Sequence, residues 1–447
     1  MNPAAHGPSH DSHGPGPGLL VAHGHLNQFA SLSRLISTYN IAVHFVSTTT
    51  HVHQLCSRLH HVDPPSATVS ELIHFHELPI PSFTSRTPHH SGRFPSHLQP
   101  AFESTLHLRG PFTDLVLSLS GSAPRVAVVH DFMMSYVVQD IHRMPNVETY
   151  VFSALSAFDS FCRTGKEFPE ILYGLPSQDG CLSLEFQEFV KLQQRHDGFH
   201  VGTLFDSSRA IESEYIEYLE REEEMNDKKK KKLWAVGPIN SGQQTFVTPP
   251  RSVIYVSFGT TTTFSNEQVE ELANGLERSP QQFVWVARVA DKGDVFVEEA
   301  KMIELPNGFE ERIKGRGLVV RGWTPQMAIL GHAATGGFMS HCGWNSTMES
   351  ISMGVQWPLG RCILINHEMH FSSLRIRLAV VDWERRDELV TAMVVEDVIR
   401  KIMDSSEGEE MQKLAVEVGG IVQRSATDGG ISRKEIESFI SYIQRPN

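Results

Sequence analysis

Apolar positions along this chain recur in two alternating registers. Short β-branched or aromatic runs predict strands at Ile41–Ser47, Val126–His130 and Thr149–Ser153. Between them, Leu26–Ser37 and Gln99–Leu117 carry apolar residues at helical spacing, with a break expected at Gly110-Pro111. The second half repeats the alternation more cleanly. Val253–Thr260 reads as a strand, and Asn266–Glu277 as a helix with Val269, Leu272 and Leu276 on one face. Strands follow at Phe283–Arg288, Gly317–Trp323 and Gly337–Ser340, then helices at Val394–Met403, Glu410–Gln423 and Lys434–Ile443. Strands that alternate with helices predict βαβ units and mostly parallel sheets. The first strand is poor: Gly18–Ala22 is a stub, and the HGPGPG before it cannot form a strand interior.

A charged helix, Ile211–Glu224, runs toward the lysines Lys228–Lys232, which read as a solvated helix end or loop. Pro238, Pro249 and Pro250 bracket a polar linker. The expected fold is therefore α/β, with two Rossmann-like doubly wound domains facing a central cleft. A disordered leader at 1–18, a first domain at 19–240, a linker at 241–250 and a second domain at 251–430 are expected. Such sheets bind ligands at the carboxyl ends of their strands.

Length and composition agree with this division. A chain of 447 residues exceeds one compact core. Hydrophobic residues at 40% and charged residues at 20% exclude a disordered chain. Lys+Arg 39 against Asp+Glu 52, a formal charge of -13, argues against a nucleic-acid partner gripped through its phosphates. No run approaches the length of a membrane span, and the leader lacks the basic-then-apolar order of a signal peptide. Five scattered cysteines without a CxxC pair fit a reducing, cytoplasmic compartment. Of 24 histidines, 20 precede residue 201. HxH pairs at His23/His25, His51/His53 and His74/His76 could set two imidazoles on one strand face, but a metal would need further ligands. Surface and cleft histidines, with no metal site, are the expectation.

One stretch concentrates chemistry: Trp323-Thr-Pro-Gln326, His332, then Phe338–Ser346, Glu349 and Gly354. A strand ending near Ser340 would turn through His341-Cys342-Gly343 into a helix starting near Asn345. A helix N-terminus offers backbone N–H groups suited to a diphosphate, and Gly343 lets the ligand approach the backbone. Glu349, about one turn along, could accept from a ribose diol, and Trp323 offers a face for a nucleobase. Neither GxxxxGK[ST] nor GxGxxG occurs in a suitable context, which makes a nicotinamide-dependent oxidoreductase a poor reading.

This signature resembles that of the plant UDP-dependent glycosyltransferases, which begins W-A-P-Q and contains H-C-G-W-N-S-x-x-E. Gly24-His-Leu-Asn-Gln28, Val137-Val-Gln-Asp140, Pro145-Asn-Val-Glu148 and Trp234-Ala-Val-Gly-Pro238 are similar to the zeatin O-glucosyltransferase branch. The resemblance implies a GT-B fold with the terminal segment, 431–447, returning to the first domain. It implies transfer of glucose or xylose from a UDP-sugar to a small hydroxyl acceptor such as zeatin, by a metal-independent monomer. Trp323 would stack on uracil, the Thr324 backbone would read the base edge, and Gln326 would lie near the ribose. Glu349 would hold the ribose hydroxyls. Thr260, His341, Asn345 and Ser346 would bind the diphosphate, and Trp344 would approach the sugar. His25 matches the catalytic base and Asp131 its partner, with His23 the rival base.

The pattern breaks after Val355. The family continues P-x-x-x-W-P-x-x-x-D-Q-x-x-N, its Asp-Gln pair gripping the sugar, whereas this chain reads Gln356-Trp-Pro-Leu through Ser373 without that pair. One possible encoding of Val355–Ser372, read in a shifted frame, gives PVATWPMHSDQPRNAFL, the missing continuation. A frame slip near residue 355 that returns near Leu374 is the expected cause. The alternative function is then a UDP-binding protein, or damaged-gene product, with an incomplete sugar site.

Overall fold

A computed structural model describes residues 16–17, 23–59, 72–84, 86, 95–164, 182–225, 231–239, 251–259, 262, 264–288, 303–341, 343–359, 377–379 and 388–446. Its strands are β1 (Gly16–Pro17), β2 (Val43–Thr48), β3 (Ile73–Leu78), β4 (Val126–Asp131), β5 (Val147–Ser153), β6 (Gly202–Phe205) and β7 (Lys232–Ala235) in the first half. The second half contributes β8 (Val253–Ser257), β9 (Gln282–Val286), β10 (Gly317–Val320), β11 (Thr335–Ser340), β12 (Trp357–Leu359) and β13 (Arg377–Ala379). Among the described residues the first-half helices of seven or more residues are α1 (His23–Ser37), α2 (Thr49–Leu59), α3 (Gln99–Thr105), α4 (Arg109–Ser120), α5 (Ala157–Arg163), α6 (Leu184–Arg195) and α7 (Arg209–Met225). After the linker come α8 (Asn266–Arg278), α9 (Trp344–Ser352), α10 (Ala392–Asp404), α11 (Ser406–Ala426) and α12 (Ile431–Ile443).

The second-half sheet runs β10-β9-β8-β11-β12-β13, all parallel. Strand order reverses between β8 and β11, the switch point at which doubly wound sheets open a ligand crevice. In the first half, β1-β4-β5-β6-β7 form one parallel sheet and β2-β3 pair separately. The weak first strand expected at 18–22 lies outside the described residues. The described residues just before it, Gly16–Pro17, pair as β1 against Val128 and Val129. It sits at the sheet edge, where a proline's missing N–H leaves no interior ladder bond broken.

Side-chain parity organises the first-half core. Val126 and Val128 of β4 face one apolar cluster. Ala127 and Val129 face another, which holds Leu26 and Phe29 of α1 together with Ile436, Phe439, Ile440 and Ile443 of α12. Those four residues follow a helical i, i+3, i+4, i+7 stripe, so α12 lays its apolar face on the first-half sheet. Phe439 meets Tyr150 edge-on at 5.3 Å and Trp234 at 5.2 Å.

Several local expectations shift. The break in Gln99–Leu117 falls at Leu106–Leu108, a 3-10 turn, not at Gly110-Pro111. Pro111 lies in the first turn of α4, where a backbone N–H would have no intrahelical acceptor. Two of the three HxH pairs are helical: His23/His25 lie on α1 and His51/His53 on α2, with only His74/His76 on a strand. Residues two apart on a helix point to different sides, so His51 and His53 do not share the strand face that the spacing suggested. Lys232 opens β7 rather than extending a loop, and its ammonium lies 4.3 Å over the Tyr442 ring. The remaining lysines up to Lys230 lie outside the described residues. Among the described residues no helix is long and apolar enough to cross a membrane.

Candidate active site

Asp131 is the last residue of β4, and strand parity points it to the α1 side. There its Oδ2 lies 2.9 Å from Nδ1 of His25, in the first turn of α1. Its other oxygen, Oδ1, accepts the Met133 backbone N–H at 2.7 Å and caps the turn Phe132–Met134. Asp131 is wholly buried, and engagement of both oxygens offsets the cost of removing the carboxyl group from water. The His25 side chain keeps 21% of its surface exposed. With Nδ1 committed to the carboxylate, Nε2 is the nitrogen left to exchange a proton. On the opposite face of β4, His130 Nδ1 donates to the Asp131 carbonyl at 2.9 Å. Complete burial pushes the His130 imidazole down to about 4, so it is neutral at pH 7.

The second cluster forms at the switch point of the other sheet. Gly259 follows β8 with φ +70, and Gly343 opens α9. The His341 ring fills the space between them: a Cβ at Gly259 would stand 2.3 Å from His341 Cε1, and one at Gly343 2.7 Å from Nε2. Glycine at 259 thus serves both a left-handed turn and a close ring approach. From Gly343 the chain enters α9, whose first-turn N–H groups have no acceptor within the helix.

Around this turn the sequence-selected residues collect. Gln326 donates its Nε2 hydrogens to Ser346 Oγ at 3.0 Å and Glu349 Oε2 at 2.7 Å, which ties the short helix Gln326–Leu330 to α9. Thr324 Oγ1 lies 3.0 Å from the hydroxyl of Tyr255, which β8 holds within the core. Trp323 keeps 39% of its surface exposed, unusual for so large an apolar side chain. A flat exposed ring, a carboxylate and a helix N-terminus are groups that suit a nucleoside diphosphate. Asn345 sits half-buried in the first turn of α9.

Trp344, expected near a sugar, is 3% exposed and packs among Phe338, Met348 and Ile351. Its indole N–H donates at 2.7 Å to the backbone oxygen of Asp206, just past β6 in the first-half sheet. That bond joins the carboxyl ends of the two sheets. Thr260 and the segment 360–373, which carries the expected frame slip, lie outside the described residues. Gln356 is buried, and its Nε2 donates to the carbonyls of Gly336 and Ile402. Among the described residues no group of three or more His, Cys, Asp or Glu could hold a metal ion.

Sequence reasoning passed over Asp206, whose significance depends on contacts from distant segments. Its only local signal is an acidic residue in the apolar-to-polar step Leu204-Phe205-Asp206-Ser207.

Comparison with known proteins places these clusters in context. Residues 19–241 match the family described as glycosyltransferase, N-terminal domain, and residues 235–406 that described as UDP-glucoronosyl and UDP-glucosyl transferase. A zeatin O-glucosyltransferase of Phaseolus lunatus is 44% identical over 453 residues, covering 95% of each chain. A zeatin O-xylosyltransferase of Phaseolus vulgaris is 44% identical over 451 residues, covering 94% of this chain and 96% of its own. Among solved structures, a UDP complex of a Siraitia grosvenorii transferase matches with TM-score 0.73 at 24% identity, covering 97% of this chain and 100% of its own. At that identity the likeness is one of fold.

Proposed function

We propose that this chain, which belongs to the plant UDP-dependent glycosyltransferase family, transfers glucose or xylose from its UDP-sugar to the side-chain hydroxyl of a zeatin-type cytokinin. The observation that carries the chemical part is the His25–Asp131 pair at 2.9 Å, built from α1 and β4. Identity of 44% to both an O-glucosyl- and an O-xylosyltransferase, across nearly the whole chain, supports the acceptor class. The same match favours catalysis over binding of UDP with an incomplete sugar site.

In this reading the acceptor hydroxyl gives its proton to His25 Nε2 as its oxygen attacks C1 of the sugar. Asp131 holds the ring with its proton on Nδ1 and stabilises the imidazolium that forms. The new C1–O bond forms as the bond from C1 to the diphosphate breaks, so an α-linked donor gives a β-glycoside and UDP. Trp323, Thr324, Gln326 and Glu349 hold the uridine, while His341, Asn345 and Ser346 face the diphosphate, a role the family resemblance also gives to Thr260. The α9 amides meet the leaving charge where it develops, a reading that gives no role to a metal ion. We further assign the enzyme to the cytoplasm as a monomer.

The test is to incubate the protein with trans-zeatin and either UDP-glucose or UDP-xylose, then identify products by mass spectrometry. A β-O-glycoside formed in step with UDP supports the reading. UDP binding without any glycoside from either donor overturns it.

A further inference from the structure

The two clusters meet through one residue, Asp206. Its carboxylate Oδ2 accepts the Gln28 Nε2 hydrogen at 2.6 Å, and Oδ1 accepts the Ile239 backbone N–H at 3.2 Å. Its carbonyl accepts the Trp344 indole N–H, and its own N–H donates to the Ser153 carbonyl at 3.1 Å. Gln28 lies three residues after His25 on α1, within one turn of the base. Trp344 is the first residue of the donor-side helix α9. Ile239 stands where the first domain runs into the linker. A single buried residue therefore bonds the base-bearing helix, the donor-binding helix and the start of the linker.

Its surroundings leave little slack. A Cβ on Gly237 would come within 2.6 Å of Asp206 Oδ1 and 2.5 Å of the Ser207 nitrogen. The turn that follows is docked as well: Ser208 Oγ lies 3.0 Å from Ser425 Oγ on α11 and 2.9 Å from Ser432 Oγ on α12. Arg209 pairs with Glu435 of α12 and with Glu220. Helices from the far end of the chain thus clamp the same short turn.

We infer that Asp206 is a positioning residue for sugar transfer: through Gln28 and Trp344 it fixes the distance and angle between the His25 base and the donor bound at α9. It touches neither substrate. Its effect is on geometry, and a displacement on the order of 1 Å between reacting groups can cost about a hundredfold in rate. An amide in place of the carboxylate can keep the arrangement. Gln28 Oε1 is buried without a hydrogen-bond partner. On rotation of the Gln28 amide, the side-chain N–H introduced by Asp206→Asn can donate to that oxygen, while the remaining side-chain oxygen retains the Ile239 N–H. Burial already pushes the Asp206 carboxyl up to about 6, so the site tolerates a neutral group.

The inference rests on the transfer reading above, and the wild-type assay separates the two: an inactive wild type defeats that reading, whereas an active wild type leaves the variants to judge Asp206. For Asp206→Ala, kcat should fall at least about tenfold while UDP affinity by calorimetry and KM for the UDP-sugar stay within about threefold. Asp206→Asn should recover kcat to within about threefold of wild type. Ser438→Ala, which removes the Trp234–Ser438 bond of the same α12 docking without touching Asp206, should leave kcat unchanged. Should Asp206→Ala fail to fold, Trp344→Phe carries the test, because it keeps an aromatic ring and deletes the N–H. Wild-type kcat in that variant, or in folded Asp206→Ala, overturns the inference, as does Asp206→Asn being as impaired as Asp206→Ala.

Discussion

His25 and Asp131 lie 106 residues apart in sequence, and their side chains meet at 2.9 Å. The carboxylate accepts the His25 Nδ1–H, so the tautomer of the ring is set by a residue on another element.

Asp131→Asn keeps the shape and reverses the polarity. The amide oxygen can still accept the Met133 N–H, which leaves the amide N–H facing His25 Nδ1. The ring then carries its proton on Nε2 and cannot act as base. Transfer should fall by about 10²- to 10⁴-fold, the range expected for losing a general base, with UDP affinity unchanged. His25→Ala should give the same result, and initial rates beside calorimetry check both.

Gly259→Ala tests the glycine cradle around His341. At φ +70 an alanine is strained by about 1–2 kcal/mol, and its Cβ would displace the His341 ring. Chemical denaturation should show that loss of stability. UDP affinity should drop at least about fivefold, since about 1 kcal/mol of lost diphosphate contact corresponds to that factor.

Acid should weaken the fold through His130. Its imidazole is held neutral by burial, with His200, Asp197 and Asp131 as its charged or titratable neighbours. A histidine lowered from 6.5 to about 4 contributes stability that is whole above pH 6.5 and lost as pH falls toward 4. The contribution is on the order of 3 kcal/mol. Asp206 slopes the other way, because a carboxyl raised to about 6 stabilises the fold as pH drops through that value. The difference between wild type and His130→Leu isolates the histidine: wild type should lose more stability between pH 7 and pH 4.5.

Phe439 anchors the terminal helix to the first-half sheet, fully buried against Tyr150 and Trp234. Phe439→Ala should destabilise by about 3–5 kcal/mol, the usual cost of a large buried ring. Thermal unfolding measures it, and limited proteolysis should cut first within α12.

Much of this architecture is legible in local sequence. Short β-branched runs located β4, β5 and β8, and the Trp323–Glu349 spacing located the strand–turn–helix that runs from β11 into α9. Local pattern failed where a long-range contact decides. The HxH spacing carries no information on helix or strand, so His23 and His51 looked like strand residues. Trp344 sits within a nucleotide signature, yet its indole is drawn into the core by the Asp206 carbonyl in the other domain. Asp206 and Gln28, separated by 178 positions, gave no shared signal. Their pairing exists only once α1 and β6 lie side by side.

The account depends most on the crevice between β8 and β11 accepting a uridine diphosphate. Calorimetric titration of the folded protein with UDP tests this directly. Saturable binding at one site per chain, weakened at least about tenfold in Glu349→Ala, is the expected result, since a charge-assisted hydrogen bond contributes about 1.5–3 kcal/mol. A folded protein that takes up no UDP would contradict the account.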